Sequence, residues 1–230
     1  WGLVKNKYDK KMLRVFWIAK NDSNKEIHGS GISTAVPQKI HRPHQNSFKV
    51  LFPARLLKEK GVFEFVEAAR ILSARDSRYQ FVIAGAIDED NPGGISVDTV
   101  EAWCKAGWVE WYGYVSDMSE IYSTADIVCL LSYREGLPKA LLEATAFGIP
   151  IIATDVPGCR EVCIDSFNGY LIKPGDVDQL ISHIELLGND SELRTALGDK
   201  GRELVETRFS NRVILEQTSD YYDGLLSGSC

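Results

Sequence analysis

Two carboxylates, Glu135 and Glu143, bracket the stretch Tyr-Arg-Glu-Gly-Leu-Pro-Lys-Ala-Leu-Leu-Glu at residues 133–143. A strand-like run, Asp126 to Leu131, leads into it. Pro138 stands where a first helical residue would stand, ahead of a helix-forming stretch that stops at Gly148 and Pro150. A strand, a short turn and a helix N-terminus together present unpaired backbone N–H groups to an anion. Carboxylates accept hydrogen bonds from hydroxyls, which ribose and hexoses supply. An anion site flanked by hydroxyl acceptors points to a nucleotide-sugar. Each feature also has a simpler account. Glu135 can be an anion favoured by the helix dipole at about 0.3–1 kcal/mol. Lys139 and Glu143, four apart, can be a surface pair worth a few tenths of a kcal/mol.

The rest of the chain supplies the frame for these residues. Strands are expected at Phe48–Phe52, Tyr79–Ala84, Val109–Tyr112, Asp126–Leu131, Ile151–Ala153 and Gly169–Ile172. Between them helices are expected at Gly61–Leu72, near 96–106, near 118–124, at Pro138–Phe147 and shortly after Pro157, with helices only beyond Asp176. Residues 86–94, rich in Asp, Asn, Pro and Gly, form a loop. The alternation predicts an α/β, Rossmann-like parallel sheet with helices on both faces. Ligands in such sheets bind beyond the carboxyl ends of the strands. Arg55, Gly85, Tyr114 and Glu135 each follow an expected strand, so they gather at that edge. Arg55 and Lys60 add a forked donor and a point charge there, a pair suited to a diphosphate. The competing account of that pair is a solvated loop beside Glu59.

Composition narrows the class. The 230 residues are 44% hydrophobic and 25% charged, as in an ordinary globular domain. No run approaches the length of a membrane span, and no signal-peptide pattern is visible. Five cysteines, an odd number spread widely, read as reduced thiols in a cytoplasm. The net charge of −6 hides a local +5 in the first twenty residues, which leaves −11 for the remainder. That basic segment is interleaved with Trp1, Leu3, Tyr8, Met12, Leu13, Phe16 and Trp17, which suits peripheral contact with anionic lipid. Packing against further protein is the favoured account. The acidic body of the chain and the lack of a base-reading motif argue against nucleic acid.

Other constellations are weak. Cys159 and Cys163 are four apart, without the His or second Cys pair that zinc needs. His41 and His44 flank Pro43 in a polar stretch that reads as linker, and His183 lies on an apolar helix as a structural residue. Ser132 has no evident His–Asp partner for acyl chemistry. A dinucleotide Gly-x-Gly-x-x-Gly fingerprint does not follow the first strand.

Taken together, these segments resemble retaining GT-B glycosyltransferases, the large family that contains capsule, O-antigen and mannosyl transferases. The resemblance rests on the Glu135/Glu143 spacing, on Ala54-Arg-Leu-Leu-Lys-Glu-Lys-Gly61, on residues 150–161 and on Asn168-Gly-Tyr-Leu-Ile-Lys-Pro-Gly-Asp176. Two departures are Pro53 and Ala54 where many relatives carry glycine before the arginine, and Ala86 after Gly85.

The resemblance implies the C-terminal, donor-binding half of a GT-B fold. Residues 1–45 would be a remnant of an N-terminal domain with the interdomain linker, including His28-Gly-Ser-Gly-Ile-Ser33. Residues 46–210 would be the nucleotide-sugar domain, and 211–230 a helix crossing back to the N-terminal domain. It implies that Arg55 and Lys60 hold the diphosphate, Glu143 the ribose hydroxyls and Glu135 the donor sugar. The amides of Gly136, Leu137, Pro138–Lys139, Ala140 and Leu141 would lie near the phosphates or sugar, and Tyr114 and Val115 would meet the base edge through their backbone. No metal or separate cofactor is implied, Asp88-Glu-Asp90 being the nearest approach to an Asp-x-Asp motif. The expected activity is transfer of a hexosyl group from a nucleoside-diphosphate sugar, a UDP-sugar first, to a saccharide or lipid-linked saccharide. A UDP-sugar epimerase of the same fold and a non-catalytic nucleotide-sugar-binding module are the alternatives. The chain alone is expected to be inactive. Apolar residues of the final helix (Val213, Ile214, Tyr221, Tyr222, Leu225, Leu226) are expected at an exposed surface that favours a dimer.

Overall fold

The computed structural model describes residues 31–36 and 47–226, with backbone only at 224 and 225. Six strands form one sheet: β1 (Phe48–Phe52), β2 (Tyr79–Ile83), β3 (Glu110–Trp111), β4 (Ile127–Leu130), β5 (Ile151–Thr154) and β6 (Gly169–Ile172). Every pairing is parallel, in the order β3-β2-β1-β4-β5-β6. The strands are short apolar runs because both faces are covered. Successive residues serve opposite cores: Val50 and Phe52 one, Leu51 the other, and likewise Ile127 and Cys129 against Val128 and Leu130.

Helices α1 (Val62–Arg75) and α2 (Val97–Lys105) cover the first face with α6 (Val177–Asn189). Helices α3 (Ser119–Thr124), α4 (Lys139–Ala146) and α5 (Pro157–Val162) cover the second. Helix α7 (Ser191–Arg208) reaches both cores through Leu197 and Leu204, and α8 (Asn211–Leu226) ends the described chain. Side chains of Ser96, Asp176 and Asp190 cap α2, α6 and α7 by accepting from backbone N–H groups. The order reverses direction between β1 and β4, so the chain leaves β1 toward one face and β4 toward the other. A crevice opens at such a switch point beyond the strand ends.

The structure corrects three expectations. Pro138 is not the first helical residue but the residue before it, with ψ 108°, and α4 starts at Lys139. Proline there still needs no N–H partner, which is why the sequence signal was off by one position. The third strand shrinks to Glu110–Trp111, since Val109 is buried against the first core outside the ladder. On α8, Ile214 and Tyr221 are buried at 5% and 6% exposure rather than open. Residue Ile32 closes that end, donating from its N–H to the Phe209 carbonyl at 2.9 Å and accepting from Asn211 N–H at 2.9 Å. Tyr222 and Leu226 are exposed as expected, and the Leu225 side chain lies outside the described residues. The basic segment of residues 1–20 and His41 and His44 also lie outside them.

Candidate functional site

The loops that leave β1, β2, β4 and β5 are locked to one another through backbone. A Cβ on Gly85 would stand 1.8 Å from the Ala54 carbonyl oxygen, so only glycine lets the loop after β2 cross the loop after β1. Gly61, at φ 75°, starts α1 against the Leu131 carbonyl, where a Cβ would stand 2.3 Å away. Tyr133 N–H donates to the Glu59 carbonyl at 2.9 Å, tying the loop after β4 to the loop after β1. Gly158, at the start of α5, lies under the carbonyls of Glu135 and Gly136. The Trp111 indole N–H donates to the Gly85 carbonyl at 2.9 Å and fixes the end of β3 beside β2.

On this frame Lys60 and Glu135 meet across the switch point. Lys60 Nζ lies 2.6 Å from Glu135 Oε1, with side chains only 22% and 14% exposed. Arg55 points elsewhere: its Nη1 donates to Asp88 Oδ2 at 2.9 Å, on the loop after β2. That loop is laced to residues 56–58 by Leu56 N–H to Ala86 O, Lys58 N–H to Gly93 O and Ile95 N–H to Leu56 O. Asp88 and Arg55 therefore ride on one rigid piece. Only one edge of the guanidinium is engaged in that bond.

Glu143 lies on the first turns of α4. Its Oε1 is 3.3 Å from Lys139 Nζ, and its Oε2 accepts from the Tyr122 hydroxyl at 3.1 Å. Gly136 is exposed with open space where a Cβ would go, whereas Leu137 packs against the second core and Pro138 is buried. Leu141 is fully buried, its N–H donating to the Pro138 carbonyl at 3.1 Å, and Ala140 is partly buried. Tyr114 is 78% exposed beyond β3, and Val115 packs against the second core. Tyr114 and Val115 follow β3, the edge strand three places from β4 in the sheet.

The geometry adds two residues that sequence reasoning passed over, Tyr122 and Gly158, and a partner for a third: Asp88, weighed in the sequence only as part of Asp88-Glu-Asp90, pairs with Arg55. Tyr122 reads as a core residue of an amphipathic turn, and nothing local shows where its hydroxyl goes. Gly158 follows a helix-starting proline, and its close approach to the Glu135 backbone has no local signal. Cys159 and Cys163 are both buried. Burial first, then the nearby Glu135 charge, pushes the Cys159 thiol up to about 12. Among the described residues no group of three or more His, Cys, Asp or Glu could hold a metal ion, and no helix is long and apolar enough to cross a membrane. His183 stacks on Tyr170, ring centroids 4.3 Å apart.

Known proteins with the same arrangement are numerous. The capsular polysaccharide biosynthesis glycosyltransferase CapM of Staphylococcus aureus is 26% identical over 194 residues, 84% of this chain and 50% of that protein. The N,N'-diacetylbacillosaminyl-diphospho-undecaprenol alpha-1,3-N-acetylgalactosaminyltransferase of Campylobacter jejuni is 33% identical over 177 residues, 77% of this chain and 45% of that protein. The chain spans about half the length of these curated relatives. In fold it is similar to sucrose-phosphate synthase from Thermosynechococcus elongatus, with TM-score 0.82 and 24% identity over 98% of this chain and 58% of that one. Anabaena Alr3699/HepE in complex with UDP gives TM-score 0.82 and 18% identity over 96% of this chain and 63% of that one. The family model for glycosyl transferases group 1 matches residues 36–204, a span that runs from Val36 into α7 and includes every loop of the crevice. The chain belongs to the glycosyl transferases group 1 family.

Proposed function

We propose that this chain is the donor-binding part of a retaining hexosyltransferase that takes a UDP-sugar and works in surface polysaccharide assembly. The observation that carries the reading is the Lys60–Glu135 pair, a cation and a carboxylate 2.6 Å apart at the switch point beside the N-terminus of α4. Arg55 and Lys60 would hold the diphosphate, with help from the backbone amides of Lys139 and Ala140 that open α4. Glu143 would accept from the ribose hydroxyls, and Glu135 would face the donor sugar. Backbone at Tyr114 and Val115 would meet the base. UDP as the nucleotide is supported by the Anabaena neighbour, whose structures hold UDP and UDP-glucose. Polysaccharide assembly is supported by the names of the Staphylococcus and Campylobacter relatives. The acceptor would be a saccharide or lipid-linked saccharide bound largely by a domain beyond this one, at the cytoplasmic face of a membrane.

In the proposed reaction the bond from the anomeric carbon to the diphosphate oxygen breaks, and its electron pair stays on that oxygen. Arg55, Lys60 and the helix N-terminus stabilise the charge that develops there. The acceptor oxygen attacks from the same face and passes its proton to the departing diphosphate. Configuration is thereby retained with no covalent enzyme intermediate. A glycosyl adduct trapped on Glu135 overturns this front-face route.

Calorimetric titration with UDP, GDP and ADP tests the donor site. The expected result is selective binding of UDP, weakened about 10–100-fold by R55A and by E143A, as loss of a charge-assisted hydrogen bond requires. Equal binding of all three nucleotides, or insensitivity to both substitutions, refutes the assignment. Turnover of the UDP-sugar to its epimer without an acceptor would favour the epimerase alternative instead.

A further inference from the structure

Glu143 is held at both carboxylate oxygens, by two very different partners. Lys139 approaches Oε1 from outside, on a flexible side chain that is 81% exposed and one turn earlier on the same helix. A pair of that kind holds little. Tyr122 approaches Oε2 from inside and from another element, α3. It is 1% exposed, with its ring against Phe147 at a centroid distance of 5.4 Å. Its hydroxyl also lies 3.3 Å from the Ala140 carbonyl oxygen. A phenol has one hydrogen to give, and the nearer, charged acceptor is Glu143. Burial, and then the Glu143 charge, pushes the Tyr122 hydroxyl well above the usual tyrosine value, so it stays a donor at physiological pH.

We infer that Tyr122 is a positioning residue that aims Glu143 at the ribose, and so helps set the preference of this site for ribonucleotides over deoxyribonucleotides. The inference rests on the proposed role of Glu143 in holding the ribose hydroxyls. A glutamate side chain has three torsions, and a carboxylate that wanders accepts poorly from a hydroxyl at a fixed place. Tyr122 is a ring wedged in the core with its oxygen at a fixed point, so it removes that freedom before ligand arrives. Without the hydroxyl, Glu143 swings toward Lys139 and solvent, the side chain being already 27% exposed.

The test titrates UDP and 2′-deoxy-UDP into the native protein, Y122F and E143A. The native protein is expected to prefer UDP. In Y122F, UDP affinity is expected to fall about tenfold, the loss of one hydrogen bond to a charged group. Affinity for 2′-deoxy-UDP should change far less, so the preference shrinks. A tyrosine with a packing role only would lower the melting temperature, or weaken both ligands equally, and leave the preference at its native value; that result overturns the inference. E143A separates the two levels. If E143A keeps the native preference, Glu143 does not read the ribose and its proposed role fails. If E143A abolishes the preference while Y122F keeps it, only the role of Tyr122 fails. Where Y122F unfolds, 4-fluorophenylalanine at position 122 fills the hydroxyl's volume without donating, and the same ratio is read on that variant.

Discussion

Gly158→Ala adds one methyl group under the loop that carries Glu135. The new Cβ would stand 2.4 Å from both the Glu135 and Gly136 carbonyl oxygens and 2.6 Å from the Glu135 carbonyl carbon. Real Cβ contacts essentially never fall below 3.0 Å, so each oxygen must retreat by at least 0.6 Å, the difference between 3.0 and 2.4. The obstructing atoms are backbone, and no rotamer change relieves them. Helix propensity alone would favour alanine by about 1 kcal/mol. Overpacking works against it at about 1–3 kcal/mol. The net loss is then roughly 0–2 kcal/mol, a fall in Tm of at most several degrees for a domain of this size.

Function should suffer more than stability. The displaced segment carries Glu135, whose bond to Lys60 is 2.6 Å long, and leads directly into the N-terminus of α4. A misplacement approaching 1 Å costs on the order of 100-fold in rate. G158A is therefore expected to lower glycosyl transfer by about 10–100-fold while the protein stays folded. The readouts are transfer kinetics, UDP affinity and a thermal melt on the same preparation. A variant that gains about 1 kcal/mol, as propensity alone predicts, and keeps native turnover would show that α5 does not set the loop, and would refute the reasoning.

The Lys60–Glu135 pair makes a second prediction. K60A leaves a carboxylate that is only 14% exposed without its cation, at a cost of about 1–2 kcal/mol once residual solvation is allowed for. E135Q combined with K60A should recover most of that loss in urea denaturation, and additive effects would contradict a coupled pair. His183 makes the third. Burial lowers its pKa below the ordinary value of about 6.5, so the unfolded chain binds the proton more readily than the folded one. Its contribution to stability is complete above pH ~6.5 and is lost as pH falls through that value toward the lower folded pKa. H183F, which keeps an aromatic ring beside Tyr170, should flatten the stability profile between about pH 5 and 7 relative to the native protein. An unchanged slope there would mean that other groups carry it.

How far the sequence alone reaches depends on whether a feature is local. Strand–helix alternation and the lack of amphipathic strands were enough for a parallel sheet, because a strand buried on both faces must be apolar throughout. The order β3-β2-β1-β4-β5-β6 was not, since alternation constrains direction but not which strand neighbours which. Glu135 and Arg55 were legible as site residues from their places after strands. Their actual partners were not: Lys60 is 75 residues from Glu135, and Asp88 is 33 from Arg55. The expectation of an open face on α8 failed at Ile214 and Tyr221, which are buried, and the start of that helix is tied to Ile32, a residue from the other end of the chain. Tyr122 shows the same limit in a single residue: its ring follows the apolar period of α3, while its hydroxyl answers to a helix 21 positions away.

The meeting of Lys60 with Glu135 follows from topology before chemistry. Between β1 and β4 the chain departs to opposite faces, so the loops that carry these residues splay apart. Two opposite charges facing each other across that gap pair at 2.6 Å. On the proposed reading, a diphosphate entering the crevice offers Lys60 a second anion of higher charge. The lysine can then exchange partners without ever being left unsolvated, and Glu135 is released toward the sugar at the moment the donor is seated. On that reading the ion pair would couple donor binding to exposure of the carboxylate. On the same reading the two residues belong on different loops, because on one loop they would be a fixed salt bridge that donor binding could not open.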